Sequence, residues 1–234
     1  METSRMTGFF EKYGTPLAVL VGAVIIAFAF AFGGGMNRPA PVAPGEAMAV
    51  DIKDVTTDNS PYIGNANAPV TIAVWYDYQC PFCKQFELNT LPQVYDTYVA
   101  EGKVKVVLKD FQFLGDDSDT AALYARAVWD AYPDRFHDWY QAMAENQDEE
   151  HGGFGNLDSI VAMTKGIDGI DTDKVAKLME TKKAEYQAAI DADRAEGAAF
   201  GINGTPSIII GTTLLSGAQP FDALKPLIEA ELGN

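Results

Sequence analysis

The chain has 234 residues, of which 47% are hydrophobic and 21% are charged, a composition that is ordinary for a globular protein. Its formal net charge of −16 argues against nucleic acid as a partner, because a surface that binds phosphates needs clustered lysine and arginine. The chain has only two cysteines and two histidines. It therefore lacks a disulfide-dense framework, and since no zinc-finger spacing links these residues we expect no metal site.

The first predicted element is an apolar segment near the N-terminus. Residues 17–32 carry no polar side chain, and with their flanks they reach the roughly 20 residues that span a bilayer. Arg5 and Lys12 precede this run and only Arg38 follows it closely, a positive-inside bias that places the N-terminus in the cytoplasm. We predict a transmembrane or signal-anchor helix over residues 16–36.

Residues 1–15 are accordingly predicted to be a short cytoplasmic N-terminus. A cleaved signal peptide is the alternative, with Ala27-Phe28-Ala29 as its cleavage site. Both interpretations put the rest of the chain outside the cytoplasm, where disulfides persist. Residues 37–60 contain three prolines and follow a run of glycines, so we predict a flexible linker there.

The body, residues 61–234, begins with a strand–helix–strand pattern. Val70–Tyr76 is β-branched and aromatic with no charged residue, which predicts a buried central strand, and Val104–Leu108 predicts a second one. Apolar residues between them recur at helical spacing, and Pro92 should kink that helix. A helical crossover between two strands predicts a parallel βαβ unit.

A long helical block and a second β region follow. Helical patterns fill the chain from about residue 115 to 195, and we interpret this block as an insertion. Ser207–Gly211 and Thr212–Ser216 then predict an antiparallel pair of strands, and Phe221–Leu232 predicts a closing helix. The predicted fold class is therefore α/β.

Both cysteines lie in one tetrapeptide, Cys80-Pro81-Phe82-Cys83, where the first strand passes into its helix. Such a pair can be a structural clasp, half of a zinc site or a redox disulfide. Disulfide exchange needs a thiolate, and the unpaired N–H groups and dipole of a helix N-terminus stabilise one. Cys80 should therefore be the attacking sulfur and Cys83 the resolving one, with Pro81 suited to the first helical turn.

The chain resembles the DsbA-like family of thioredoxin-fold proteins over roughly residues 60–232. Besides the Cys80–Cys83 motif, the resemblance rests on the helical block and on Gly204-Thr205-Pro206 ahead of the third strand. The preceding Tyr76-Asp77-Tyr78-Gln79 is similar to the membrane-anchored, BdbD-type branch. The resemblance implies a thioredoxin fold with an inserted helical domain, here preceded by the transmembrane or signal-anchor helix.

The resemblance also implies a function, that of an extracytoplasmic protein thiol–disulfide oxidoreductase. It implies catalytic Cys80 and Cys83, and a cis Thr205–Pro206 loop whose backbone pairs with an extended substrate. We expect an oxidase that donates the Cys80–Cys83 disulfide to proteins with free thiols and uses no cofactor. Since the chain has no second cysteine pair, reoxidation would need a membrane partner of the DsbB or VKOR type.

Two features depart from family relatives and leave alternatives open. The buried acid that many relatives carry six residues before the first cysteine is replaced by Val74, and Phe82 stands where the strongly oxidising type has histidine. Asp77 is a possible modulator of the thiols, or a solvated or capping carboxylate. The alternatives for function are a reductase or isomerase of the same fold, and a peptide-binding, chaperone-like module in which the cysteine pair is inert.

Overall fold

The computed structural model describes residues 50–149 and 152–233. Within these residues the chain forms a five-stranded sheet of order β1-β3-β2-β4-β5. The strands are β1 (Tyr62–Gly64), β2 (Val70–Tyr76), β3 (Val104–Asp110), β4 (Ser207–Ile210) and β5 (Thr213–Ser216). The predicted transmembrane or signal-anchor helix at 16–36 lies outside the described residues. No helix in the described part of the chain is both long enough and apolar enough to cross a bilayer.

The central strand β2 is buried on both faces of the sheet, as its uncharged sequence predicts. It runs parallel to β3, with Val70 opposite Val104, and antiparallel to β4, with Trp75 opposite Ser207. The residues just before Ser207 therefore lie beside the residues that follow the end of β2. This register brings two distant parts of the sequence together at one edge of the sheet.

Eight α-helices surround the sheet in the described residues. They are α1 (Pro81–Asn89), α2 (Leu91–Val94, continued by a π-helical turn over Tyr95–Val99), α3 (Asp116–Ala131), α4 (Phe136–Asn146), α5 (Leu157–Thr164), α6 (Thr172–Thr181), α7 (Lys183–Ala199) and α8 (Phe221–Leu232). The interruption predicted at Pro92 is found as a break at Thr90, because Pro92 cannot donate to the carbonyl of Leu88.

Two features at the start of the described chain differ from the sequence predictions. Residues 50–60 were predicted to be flexible linker, but Val50, Val55 and Ser60 are buried. A 3₁₀ turn over Ile52–Asp54 is held to the sheet by a 2.8 Å hydrogen bond from Ile52 N–H to the Gly211 carbonyl. The linker prediction is therefore incorrect for these residues, because their few apolar side chains have a sheet face on which to pack. Strand β1 was not predicted.

A buried cluster of charged side chains fixes the helical block to the sheet. Arg126 of α3 pairs with Asp110 at the end of β3 and with Asp193 of α7. Asp193 also forms an ion pair with Lys109 of β3. All four side chains are less than one-tenth exposed. Arg126 further donates to the Asn59 carbonyl at 3.0 Å, so the cluster also holds the N-terminal segment.

Candidate active site

The cysteine pair lies at the start of α1, directly after the loop that leaves β2. Cys80 is the N-cap residue and Pro81 occupies the first turn, where its missing N–H costs no intrahelical bond. Both cysteines are free thiols; Cys80 is 4% exposed and Cys83 is fully buried. Cys80 is thus the sulfur nearer to solvent, as the order of the two cysteines predicts.

The loop before β4 lies against the first cysteine. The thiol of Cys80 donates to the backbone carbonyl of Thr205, with 3.3 Å between the two atoms. The Thr205–Pro206 peptide bond is cis. The antiparallel pairing of β2 with β4 explains this proximity, because it aligns the start of β4 with the end of β2. The structure therefore brings Cys80, Cys83, Thr205 and Pro206 together from positions about 125 residues apart.

The two thiols differ in acidity. A hydrogen bond with Cys83 is the largest cause that lowers the pKa of Cys80 to about 6; the Thr205 side chain and the backbone N–H groups of Cys83 and Phe82 add to it, while burial opposes them. Burial is the largest cause that raises the pKa of Cys83 well above its ordinary value, and the nearby Cys80 adds to it. Near neutral pH one sulfur is a thiolate and the other keeps its proton.

Asp77 is fully buried, so it is not a solvated carboxylate. One of its oxygens accepts from the backbone N–H of Gln79 at 2.9 Å and from the hydroxyl of Ser118, and the other accepts from the backbone N–H of Phe113 at 3.0 Å. Burial raises the pKa of Asp77, and these hydrogen bonds oppose that effect. The carboxylate thus holds the loop that carries Cys80.

Glu87 is a buried acid near the site that sequence reasoning missed. It lies one helical turn after Cys83 on α1, is 1% exposed, and accepts a hydrogen bond from the Tyr95 hydroxyl at 3.1 Å. Burial raises the pKa of Glu87 to about 8. In the sequence it looks like an ordinary polar residue of an amphipathic helix, because nothing local indicates that other segments cover it.

Large apolar side chains are exposed on the segments that border the cysteine pair. Phe82, inside the motif, is 56% exposed, and Phe113, whose N–H binds Asp77, is 52% exposed. Phe82 lies between the two cysteines, and the segment of Phe113 is joined to the turn before Cys80 through the Asp77 carboxylate. No group of three or more metal-ligating side chains converges anywhere in residues 50–149 and 152–233.

Comparisons with known proteins agree with this geometry. A family model described as Thioredoxin matches residues 56–230. The chain belongs to the thioredoxin family. It is 28% identical over 172 residues to a probable disulfide bond formation protein D of Bacillus cereus, an alignment that covers 73% of this chain and 77% of that protein.

Two solved structures have a similar fold. The crystal structure of oxidised BdbD from Bacillus subtilis matches with a TM-score of 0.72 at 24% identity, over 81% of this chain and 100% of that chain. The thiol-disulfide exchange protein alpha-DsbA2 from Wolbachia pipientis matches with a TM-score of 0.65 at 28% identity, over 73% of this chain and 86% of that chain. The predicted resemblance to DsbA-like, BdbD-type proteins is confirmed, and so is the enzyme class, a thiol–disulfide oxidoreductase.

Proposed function

We propose that this chain is an oxidase that donates the Cys80–Cys83 disulfide to extracytoplasmic proteins with free thiols. The observation that carries the proposal is the difference in acidity between the two sulfurs. With a pKa of about 6, the Cys80 thiol is about nine-tenths ionised at pH 7. A stabilised thiolate favours the reduced form, which makes the disulfide a stronger oxidant.

The proposed reaction has two exchange steps. A substrate thiolate attacks the Cys80 sulfur, the Cys80–Cys83 bond breaks, and its electron pair goes to Cys83, which takes up a proton. A second substrate thiolate then attacks the substrate sulfur of the mixed disulfide, and Cys80 leaves as a thiolate. The substrate loses two electrons and gains a disulfide, while the enzyme ends as the dithiol. The low pKa of Cys80 suits a leaving group, and the raised pKa of Cys83 suits a sulfur that keeps its proton.

The surroundings of Cys80 support an extended, apolar substrate segment. Thr205 lies directly against the Cys80 sulfur, and we propose that its backbone pairs with substrate next to Pro206 by strand addition. The exposed rings of Phe82 and Phe113 would contact the apolar side chains of an unfolded polypeptide. Backbone pairing with few specific side-chain contacts suits an enzyme that acts on many proteins.

Each cycle leaves the cysteine pair reduced, so an oxidant must restore the disulfide. We propose that this oxidant is a membrane protein of the DsbB or VKOR type. Residues 16–36 would act as a membrane anchor that keeps the enzyme close to it. The related proteins named for disulfide bond formation support the oxidising direction.

The reduction potential of the cysteine pair is the decisive measurement. The full chain is equilibrated in glutathione buffers and the fraction reduced is read by thiol alkylation and mass. A potential of about −120 to −180 mV supports a disulfide donor, and one of about −270 mV indicates a reductase. A pair that does not cycle at all would indicate an inert motif and a binding module.

Single cysteine variants test the order of the two sulfurs. Cys80→Ala should abolish dithiol oxidation, because no attackable sulfur remains near solvent. Cys83→Ala should instead accumulate mixed disulfides with substrate, visible as adducts that a reductant releases. Turnover that persists without Cys80 would contradict the mechanism.

A further inference from the structure

Asp77 is an acid without a cationic partner. In the described part of the chain no ion pair reaches it, and its hydrogen-bond partners are the backbone N–H groups of Gln79 and Phe113 and the hydroxyl of Ser118. All three groups are hydrogen-bond donors, so they favour the ionised carboxylate, which can only accept. Because the carboxylate is fully buried, the loss of a donor would leave a buried polar group unpaired, which is destabilising.

These donors belong to two separate segments of the chain. Gln79 lies in the turn that ends at Cys80, Phe113 in the loop after β3, and Ser118 in the first turn of α3. The side chain of Asp77 therefore joins the turn over residues 77–80 to the segment over residues 111–118. One oxygen accepts from both Gln79 and Ser118 and the other accepts from Phe113, so the carboxylate bridges the two segments.

The backbone of the same residue contacts both cysteines. The Asp77 carbonyl accepts from the Cys80 N–H at 3.1 Å. The backbone of Asp77 also lowers the pKa of Cys83, against the larger opposing effect of burial. Continuing the register that pairs Trp75 with Ser207 by two residues also places Asp77 level with Thr205. A shift of Asp77 would thus move the N-cap sulfur relative to the Thr205 loop.

We propose that Asp77 is a positioning residue of the redox centre, whose buried carboxylate fixes the turn over 77–80 against the 111–118 segment and so holds both sulfurs in place. The inference rests on the proposed function only in taking Cys80 as the reactive sulfur. The carboxylate acts through the backbone and not as an acid, a base or a charge on the thiols.

The positioning role and a direct electrostatic role predict opposite results. A carboxylate that acted by its charge would disfavour a nearby thiolate, so its removal would lower the pKa of Cys80. A carboxylate that positions the turn keeps the Cys80 sulfur near Cys83, Thr205 and the helix N–H groups that stabilise the thiolate. Its removal would then raise the pKa of Cys80. The sign of the change decides between the two roles.

The test measures iodoacetamide alkylation of Cys80 against pH in the reduced full chain, read by mass spectrometry of the Cys80 peptide. Variants are Asp77→Ala, Asp77→Asn and, as matched control, Ser118→Ala, which removes a donor and keeps the carboxylate. We expect Asp77→Ala to slow alkylation at pH 6 about fivefold, as a tenfold smaller acid dissociation constant of the Cys80 thiol implies. Asp77→Asn keeps an acceptor for the Gln79 N–H and should lie between Ala and wild type. Ser118→Ala should change the rate less than about twofold, since both backbone donors remain.

Faster alkylation at pH 6 in Asp77→Asn or Asp77→Ala would overturn the positioning role in favour of direct charge. An unchanged profile in both variants would overturn it as well, even if their melting temperatures fell. If Asp77→Ala does not fold, the direction in which Asp77→Asn changes the alkylation rate at pH 6 decides between the two roles. Failure of the proposed function looks different, because a wild-type Cys80 with an ordinary pKa would refute the function before any variant is compared.

Discussion

Glu87 should make the stability of the reduced protein depend on pH. The unfolded chain ionises this carboxyl near its ordinary pKa of 4.5, whereas burial keeps it protonated in the folded chain up to about 8. Between these values the unfolded state has lost a proton that the folded state retains. The free energy of unfolding therefore contains a contribution that is fully present below pH 4.5 and is lost as the pH rises through 8.

The size of this contribution follows from the gap between the two pKa values. The interval from 4.5 to about 8, at 1.36 kcal/mol for each pH unit, corresponds to roughly 5 kcal/mol. Glu87 is 1% exposed, so solvent does not screen this effect as it does at a surface. The change is comparable to the whole stability of many small domains.

Glu87→Gln removes the titration and keeps a carbonyl oxygen for the Tyr95 hydroxyl. We expect similar stabilities for variant and wild type at pH 4.5, and a variant more stable by several kcal/mol at pH 8. The assay is urea denaturation of both proteins under reducing conditions at pH 4.5, 6.5 and 8. Glu101→Gln is the matched control, because it makes the same exchange at an exposed side chain.

The comparison between variant and wild type isolates one group, because every other titration is common to both proteins. A stability difference that stays constant within about 0.5 kcal/mol from pH 4.5 to pH 8 would refute the reasoning. It would mean that the Glu87 carboxyl ionises at similar pH in the folded and unfolded chains. Its burial would then be compensated by donors beyond the Tyr95 hydroxyl.

Three further predictions concern the surroundings of the site. Gly155→Ala should lower stability by about 1–3 kcal/mol in thermal unfolding, because Gly155 has φ of +115° and a Cβ there would collide with Gln79; an unchanged melting temperature would contradict this. Arg126→Met should cost about 3–5 kcal/mol in chemical denaturation, since it leaves two buried carboxylates without their shared cation; Lys182→Met, which removes a more exposed ion pair with Asp130, should cost much less. Phe113→Ser should slow oxidation of an unfolded protein several-fold while leaving oxidation of a small dithiol unchanged, and equal losses on both substrates would argue against a docking role.

The sequence predicted the elements whose signals are local. Strand β2 is a continuous apolar run, and the bounds predicted for α8, Phe221–Leu232, are those observed. Strand β1 was missed because its three residues form no run and are extended only through pairing with β3. The packing of Val50 and Val55 was missed for a similar reason, since two isolated valines indicate burial only once the sheet face that they cover is known.

The two acids next to the cysteine pair show where sequence reasoning reaches its limit. Asp77 and Glu87 are both buried carboxyl groups within four residues of a cysteine, so by residue type and spacing they are alike. Their environments differ because Asp77 receives two backbone N–H donors and the Ser118 hydroxyl, whereas Glu87 receives the Tyr95 hydroxyl. Backbone donors favour the ionised form, and a sparsely paired buried carboxyl keeps its proton. Since most of these donors come from segments that only the tertiary fold brings near, the roles of the two acids are determined by packing and not by the motif.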